Sequence, residues 1–253
     1  MHVSVSLITV SHRDEEQVDA LLAHLSSLSA SGVEVIIVRN ACPATSPPLR
    51  QFGLTTLIEL RNSDNAGFAA AFNQGLRAAR GDVVMSLNSD VVVTSAALAA
   101  LATAAFHSEQ QPAVVAPILT NEKGSVFGRR FYSPISLILA RTRARSRVAL
   151  ARDPAGVEWV LGACFAMRRQ ALLTLGGLDS RFFLYFEDVD LCWRVWECGG
   201  VVRVLPGVHI YHSHRRASRQ VSRVFLWHIR SAARFFMLHP RAIVGRGPRH
   251  RRP

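Results

Sequence analysis

The chain has 253 residues, 49% of them hydrophobic, and a formal net charge of +12. This length suits one large α/β domain better than two. The sequence contains no run of about 18 uninterrupted apolar residues, which argues against a spanning helix. The N-terminus has no basic leader of the kind that opens a signal peptide, so we expect a cytoplasmic protein.

The positive charge is unevenly distributed. Lys123 is the only lysine among the 30 basic residues, and acids are absent between Glu122 and Asp153 and again after Glu197. Two basic zones predict an anionic partner: a membrane surface, a phosphorylated substrate or nucleic acid. We expect no nucleic acid, because the sequence has no recognised nucleic-acid motif and its aromatic residues cluster beside acids, which repel phosphate.

The first part of the chain alternates between strand and helix patterns. The predicted strands are Val3–Val10, Val33–Val38, Leu54–Leu60 and Asp82–Leu87, and the predicted helices are Asp14–Ser29, Gly67–Arg80 and Ser95–Phe106. Strands separated by helices predict an α/β fold with a parallel sheet and right-handed crossovers.

The second part is less regular. It has predicted strands at Glu158–Met167, Val201–Leu205 and Val208–His214, a turn at Pro206–Gly207, and helices at Arg169–Leu175, from Glu187 to Gly199, and at Ala217–Leu238. The basic segment Arg129–Arg152 lacks periodicity and is predicted to be a mobile flap. The tail Arg246–Pro253 is predicted to be disordered.

Polar residues follow three of the predicted strands. They are Asn40, the segment Asn62–Asn65 and the triplet Asn88–Asp90. Ligands collect beyond the carboxyl ends of parallel strands, so these residues predict a nucleotide-binding rim, although Asn and Asp are also ordinary turn residues. Asp90 suits Mg²⁺ or Mn²⁺ held together with a diphosphate, and the competing explanation is that it caps the following helix.

The segment Phe182–Arg194 places Glu187, Asp188 and Asp190 directly behind an aromatic run. On a helix, Asp190 and Arg194 can pair at i,i+4, whereas Asp188 shares its side with apolar residues. A carboxylate on an apolar side predicts a functional base, so Asp188 is the candidate. The alternative is that all three acids complement the helix dipole.

Two further patterns lie near the C-terminus. His212 and His214 face one way in a strand with Ile210, which suggests either metal ligation or a structural role. The helix Ala217–Leu238 places its arginines in one arc, with Leu226 and Trp227 flanking it, which predicts an interfacial helix on anionic lipid or a solvated basic face. The arc comprises Arg216, Arg219, Arg223, Arg230 and Arg234, opposite Val221, Val224, Phe225, Ile229, Ala232 and Phe236.

Three motifs carry a resemblance to a known family. Asn65–Gly75 looks like an N-x-G-F…N-x-G element, Asn88–Asp90 stands where a D-x-D metal motif is expected, and Phe182–Arg194 is similar to an acceptor-side Glu-Asp motif. From Val3 to about His239 the chain therefore resembles the family 2 glycosyltransferases of the GT-A fold, in the rhamnosyltransferase-like branch.

The resemblance implies a single Rossmann-like α/β domain with a mostly parallel central sheet and a C-terminal amphipathic helix. Residues 1–120 would bind the nucleotide sugar, 121–215 the acceptor, 216–240 would form the basic helix, and 241–253 a flexible tail. The implied reaction is inverting transfer of a sugar such as rhamnose from a dTDP- or UDP-sugar to a hydroxyl of a glycan or lipid-diphosphate acceptor. The protein would be cytoplasmic, either free or peripheral on the inner face of the plasma membrane.

The resemblance also assigns roles to residues. Asp188 would take the acceptor proton with support from Glu187, while Asp90 and His212 would hold Mg²⁺ or Mn²⁺. The implied donor-binding residues are Asn40, Asn65, Gly67, Asn73, Asn88 and Asp90, and the acceptor-side residues are Trp159, Gly162 and Tyr185.

Two residues depart from the family pattern. Arg39 stands where an acid usually contacts the nucleoside, and Asn88 removes one charge from the metal motif. These departures keep open a degenerate sugar-nucleotide-binding domain without catalysis. A sugar nucleotidyltransferase fits less well, because the segment Ser11–Asp14 after the first strand has no glycine.

Overall fold

The computed structural model describes residues 3–28, 32–49, 52–54, 56–122, 124–126, 128–140, 157–213 and 221–249. The strands are β1 (Val5–His12), β2 (Val33–Asn40), β3 (Leu57–Arg61), β4 (Val83–Leu87), β5 (Val91–Val92), β6 (Ala113–Asn121), β7 (Gly124–Val126), β8 (Cys164–Arg168) and β9 (Val201–His212). The helices are α1 (Glu15–Ser27), α2 (Phe68–Ala78), α3 (Ser95–Phe106), α4 (Pro134–Ala140), α5 (Arg169–Thr174), α6 (Glu187–Glu197), α7 (Val221–Leu238) and α8 (Pro240–Ile243). None of the helices in these ranges has the length and apolar character needed to cross a bilayer.

The strands form one sheet in the order β3-β2-β1-β4-β8-β6-β9-β5, with β7 paired to β6. The first four strands along the chain are parallel, with β1 between β2 and β4. This arrangement confirms the predicted α/β fold, because continuous apolar runs such as those of β2 and β4 are typical of strands buried on both faces.

The second half of the sheet is mixed. Strand β8 is antiparallel to both β4 and β6, and β9 is parallel to β6 and antiparallel to β5. The predicted turn at Pro206–Gly207 is wrong, because β9 continues through it as a bulge: Pro117 of β6 faces Leu205, and the next β6 residue, Ile118, faces His209. Extra residues in one strand of a pair are accommodated in this way.

Helices cover both faces of the sheet. The core on one face includes Phe72 of α2, Trp193 of α6 and Phe235 of α7, all fully buried. The core on the other face includes Leu22 of α1 and Leu101 of α3. The sheet is therefore buried on both faces. Polar residues occur instead at the carboxyl ends of its parallel strands.

Two predicted flexible segments are partly ordered. Within the predicted flap, Arg129 forms a β-bridge with Trp159 and α4 follows, while residues 141–152 lie outside the described ranges. Residue 240 does not end the packed structure, because α8 follows and Ala242 is buried. Residues 250–253 also lie outside the described ranges.

Helix α6 is held in place by a charged network around the buried Asp190. Arg194 Nε donates to Asp190 Oδ2 at 2.7 Å, as the i,i+4 spacing predicts. His239 Nε2 lies 2.8 Å from the other oxygen, Oδ1. Arg194 also donates to the carbonyls of Leu175 and Gly177. The network ties α6 to the end of α7 and to the loop after α5.

We expect Asp190→Ala to lower the free energy of unfolding by about 3 kcal/mol, since it leaves the partners of a buried carboxylate uncompensated. Urea unfolding followed by circular dichroism measures this change. Asp179→Ala is the matched control, because Asp179 pairs with the exposed Arg181 and should cost less than about 1 kcal/mol. Equal losses in the two variants would show that the network does not anchor α6.

Candidate active site

Asp188 lies in the first turn of α6 and its carboxylate is held by backbone N–H groups. Gly162 N donates to Oδ2 at 2.9 Å and Val189 N donates to Oδ1 at 2.8 Å. Tyr185 and Phe186, immediately before the helix, both have a φ of 69°. Two consecutive non-glycine residues in the left-handed region are a strained arrangement, which the surrounding packing must enforce and which is typical of functional sites.

The neighbouring carboxylate of Glu187 is buried, and its Oε2 has no hydrogen-bond partner within the described part of the chain. Burial, and next the charge of Asp188, raise the pKa of Glu187 well above its ordinary value. Burial also raises the pKa of Asp188, but the N–H groups of Gly162 and Val189 and the Arg129 guanidinium oppose the rise. Asp188 is therefore the better placed of the two to carry the negative charge.

The segment 162–163 connects Asp188 to the end of β4. Besides the Gly162 N–H that binds Asp188, the Gly162 carbonyl accepts from Ser86 Oγ at 2.7 Å and the Ala163 carbonyl accepts from Asn88 N at 3.0 Å. The carboxylate of α6 and the polar triplet after β4 thus attach to one short stretch of backbone.

Asp90 lies against His212, as the two assigned metal ligands should. His212 Nε2 is 3.2 Å from Asp90 Oδ1, and the pairing of Val91 with His212 between β5 and β9 sets this position. The competing explanation, that Asp90 caps α3, is wrong: Thr94 is the N-cap and its side chain accepts from Ala97 N.

These two side chains fit a divalent metal that takes its other ligands elsewhere. Two cis ligands, each about 2.1 Å from an octahedral ion, lie about 3.0 Å apart, close to the observed separation. No group of three or more His, Cys, Asp and Glu side chains suited to a metal occurs among residues the structure describes. A carboxylate and an imidazole suit Mn²⁺ at least as well as Mg²⁺, with diphosphate and water completing the shell.

A cavity of about 770 Å³ opens beside Asp90, between the start of α1 and the segment after β4. Asp14, Gln17, Ser89 and Asp90 are among its polar lining residues. Asp188 does not line it. The cavity therefore provides space beside the candidate metal ligand and not at the candidate base.

The N-x-G-F element begins at the sheet edge and contacts the aromatic run before α6. Asn65 Oδ1 accepts from Gly67 N at 2.9 Å, and Phe68 N donates to Phe183 O at 2.8 Å. Gly67 has a φ of 84°, and a Cβ there would lie 2.6 Å from Phe183 O. Only glycine allows the two loops to approach so closely.

Two of the assigned donor residues form hydrogen bonds to other parts of the protein. Asn73 donates to Leu178 O at 2.6 Å and accepts from Leu178 N at 2.9 Å, which fastens α2 to the loop after α5. Asn40 is buried, donates to Gly67 O at 3.3 Å and accepts from Asn62 Nδ2 at 2.9 Å. The structure therefore places Asn73 away from the rim and uses Asn40 to position Gly67; Asn65, Gly67, Asn88 and Asp90 stay at the strand ends.

The three acceptor-side residues occupy different environments. Trp159 is buried and its indole N–H donates to Arg130 O. Gly162 binds Asp188 through its N–H. Tyr185 is 38% exposed and its ring packs at a tilt against His228 with ring centroids 5.2 Å apart, which leaves it as the surface residue of the three.

Sequence reasoning missed Arg129 and Tyr132. Arg129 Nη1 donates to Tyr132 Oη at 3.2 Å, and its guanidinium lies 5.7 Å from the Trp159 ring centroid. The charges of Arg129 and Asp188 both act on the pKa of Tyr132, which burial raises. The sequence offers one indication of a role for these residues, the basic character of the segment that contains them. Because that segment lacks periodicity, it is predicted to be a flap.

The unusual Arg39 is also accounted for. It is 4% exposed and pairs with Glu59 at 3.0 Å and Glu15 at 3.5 Å. These acids, on β3 and α1, pair with the Arg39 guanidinium. Arg39 therefore stabilises this part of the fold from within and does not point toward a ligand.

The chain is similar in sequence to known proteins. A family model described as glycosyl transferase family 2 matches residues 6–176. The pre-mycofactocin glycosyltransferase of Mycobacterium tuberculosis is 31% identical over 238 residues, which cover 91% of this chain and 49% of the relative. The N-acetylglucosaminyl-diphospho-decaprenol L-rhamnosyltransferase of the same organism is 25% identical over 233 residues, 81% of this chain and 75% of the relative. The chain thus spans about half the length of the first of these relatives.

Solved structures agree on the fold. A mannosyltransferase from Pyrobaculum calidifontis in complex with GDP-Man and Mn²⁺ superposes with a TM-score of 0.63 and 17% identity, covering 92% of this chain and 65% of that one. GalNAc-T7 with UDP, GalNAc and Mn²⁺ gives a TM-score of 0.60 and 16% identity, covering 85% of this chain and 44% of that one. The predicted GT-A fold is confirmed.

We expect Gly67→Ala to destabilise the protein by about 2 kcal/mol or more, because the new Cβ collides with the Phe183 carbonyl and also occupies a backbone region that disfavours side chains. Thermal unfolding measures the effect. Gly199→Ala is the control: Gly199 also has a positive φ, but nothing lies within 4 Å of the added Cβ, so it should cost only about 1 kcal/mol of strain. If both variants behaved alike, the contact between the two loops would not be a tight one.

Proposed function

Because the chain belongs to glycosyl transferase family 2, we propose that it transfers a sugar from a nucleotide-diphosphate donor to an acceptor hydroxyl with inversion at the anomeric carbon. The observation that most supports the proposal is the attachment of Asp188 and Asn88 to the same backbone stretch, residues 162–163. This stretch links a candidate base to the candidate metal and donor residues at the end of β4.

Asp188 is the proposed general base. Its carboxylate accepts two backbone hydrogen bonds, and the Arg129 guanidinium favours its charged form, whereas Glu187 favours the proton-bearing form. A carboxylate in this state can take the proton of an acceptor hydroxyl as the hydroxyl oxygen attacks the sugar. With one base on the acceptor side and the diphosphate leaving on the other, a single displacement inverts the anomeric centre.

Asp90 and His212 are the proposed holders of the divalent metal, Mg²⁺ or Mn²⁺. Bound there, the metal would neutralise charge on the leaving diphosphate. Asn88 in place of an acid leaves more of the ligand shell to the donor phosphates. Asn65, Gly67 and Asn88 are the proposed donor contacts at the strand ends, and Tyr185 is the proposed acceptor contact beside Asp188.

The finer specificity follows the sequence relatives. A rhamnosyltransferase is among them, so we propose a dTDP- or UDP-sugar, rhamnose included, as donor, and a glycan or lipid-linked hydroxyl as acceptor. Arg39 departs from the family pattern and on that ground favoured a non-catalytic domain. Two acids neutralise its side chain within the fold, so Arg39 no longer supports that alternative.

We expect Asp188→Asn to lower kcat by about 10²- to 10⁴-fold, the usual contribution of a positioned base. Transfer or donor hydrolysis across a panel of dTDP-, UDP- and GDP-sugars with Mn²⁺ or Mg²⁺ measures it. Asp82→Asn, an exposed carboxylate at the opposite end of β4, is the control and should keep full activity. Full activity of Asp188→Asn would disprove the base assignment, and donor binding without any turnover of the wild type would favour the non-catalytic domain.

We expect Asp90→Asn and His212→Gln each to weaken metal binding roughly tenfold or more, since changing even groups that only support a ligand costs that much. The shift of the unfolding temperature on titrating Mn²⁺ in the presence of UDP measures the affinity. His209→Gln is the matched control, because His209 is exposed on the same strand. An unchanged titration for both variants would place the metal elsewhere.

A further inference from the structure

The exposed large hydrophobic side chains are concentrated in the last part of the described chain. Within the residues the structure describes there are ten, and six of them lie between Phe225 and Val244. These six are Phe225 (40% exposed), Leu226 (58%), Ile229 (45%), Met237 (72%), Ile243 (50%) and Val244 (69%). Isolated exposed apolar residues are ordinary, whereas a cluster of this kind indicates an interaction surface.

On α7 the exposed residues form a stripe. Leu226, Arg230, Ala233 and Met237 follow one another at spacings of four, three and four and are all exposed. Such spacings place side chains on one face of a helix. The opposite face is buried and includes Phe235, which is fully inaccessible. The outward face of α7 is therefore mostly apolar, with a cation within it.

This exposure differs from the pattern that the sequence predicts. Phe225 and Ile229, predicted on the core side of the helix, are exposed, because the buried face is centred on Ser231, Ala232 and Phe235. Of the predicted arginine arc, Arg230 and Arg234 are described, whereas Arg216 and Arg219 and the side chain of Arg223 lie outside the described part. Exposed apolar side chains thus lie on the same outward face of α7 as Arg230.

The charge around this surface is mostly positive, although Glu197 and Glu158 line clefts beside α8. No acidic residue follows Glu197, and the described cations of the region include Arg230, Arg241, Arg246 and Arg249. The Arg230 guanidinium lies 5.5 Å from the Trp227 ring centroid, so a cation and an indole lie together at the stripe. Exposed apolar side chains interleaved with arginine and tryptophan are the composition of helices that lie in a lipid interface.

We propose that α7 and α8 form a docking surface for an anionic lipid bilayer. A second copy of the chain is a poorer occupant, because pairing this surface with itself would bring more arginines than acids together. Nucleic acid would match the arginines but would leave the exposed Leu226, Met237, Ile243 and Val244 without an apolar partner.

The inner side of α7 contacts the loop that precedes α6. Ser231 Oγ donates to Leu184 O at 2.8 Å, and the rings of Trp227 and Phe183 stack with centroids 4.2 Å apart. The loop that α7 contacts leads directly into α6 and Asp188. Resting on the function proposed above, docking would bring Asp188 close to the lipid surface, which selects acceptors whose hydroxyl is carried on a lipid.

Vesicle sedimentation of the full chain tests the surface without any substrate. We expect binding to phosphatidylcholine vesicles that contain phosphatidylglycerol, and little binding to phosphatidylcholine alone. Arg230→Ser should weaken binding about fivefold, from about 1 kcal/mol per cation near an anionic surface. The double variant Leu226→Ser with Met237→Ser should weaken it about tenfold or more, through loss of apolar insertion.

The matched controls are Arg77→Ser, an exposed arginine on α2, and Ile135→Ser, 71% exposed on α4; both should bind as the wild type does. Wild-type protein that stays in the supernatant, or α7 variants that bind like the controls, would overturn the proposal. So would size-exclusion showing a dimer that Leu226→Ser dissociates. Because no donor or acceptor is present, failure here leaves the transferase proposal untouched, and loss of transfer activity leaves docking untouched.

Discussion

The site depends on the hydrogen bond from the Gly162 N–H to the Asp188 carboxylate. A half-buried carboxylate beside a buried one is costly to keep charged, and backbone N–H donors together with a guanidinium reduce that cost. Three features hold the bond in place: the left-handed pair before α6, the Asp190 network that fixes the helix, and the attachment of residues 162–163 to β4. Displacement of any one would separate the base from the strand ends that carry the candidate metal ligands.

The local sequence pattern correctly predicted the regular, parallel part of the fold. The parallel half of the sheet followed from continuous apolar runs, whereas the proximity of Asp90 and His212 was implied only by the family resemblance. The mixed half did not, because β8 and β9 pair with strands distant in the sequence, and periodicity carries no information on which edge a later strand joins. Trp159 and Asn73 show a similar limit: their polar atoms bond to backbone groups that only the tertiary structure brings near.

The face of α7 illustrates the same limit. Apolar residues occur around much of the helix, so the sequence alone does not determine which side of α7 is buried. Packing against the loop before α6 and against the core decides in favour of Ser231, Ala232 and Phe235. Arg129 is a second example. The sequence predicts that it lies in a mobile flap, but its β-bridge to Trp159 holds it near the candidate base Asp188.

The bulge in β9 has a consequence for the candidate metal ligands. One step along β6, from Pro117 to Ile118, corresponds to four along β9, from Leu205 to His209. Side chains alternate between the faces of a strand, so the parity of the inserted length determines which face His212 occupies. Loss of a single residue from this irregular stretch would turn the imidazole away from Asp90 even though every motif in the sequence survived. Relatives that keep the histidine but change the spacing before it would therefore have to find their second ligand elsewhere.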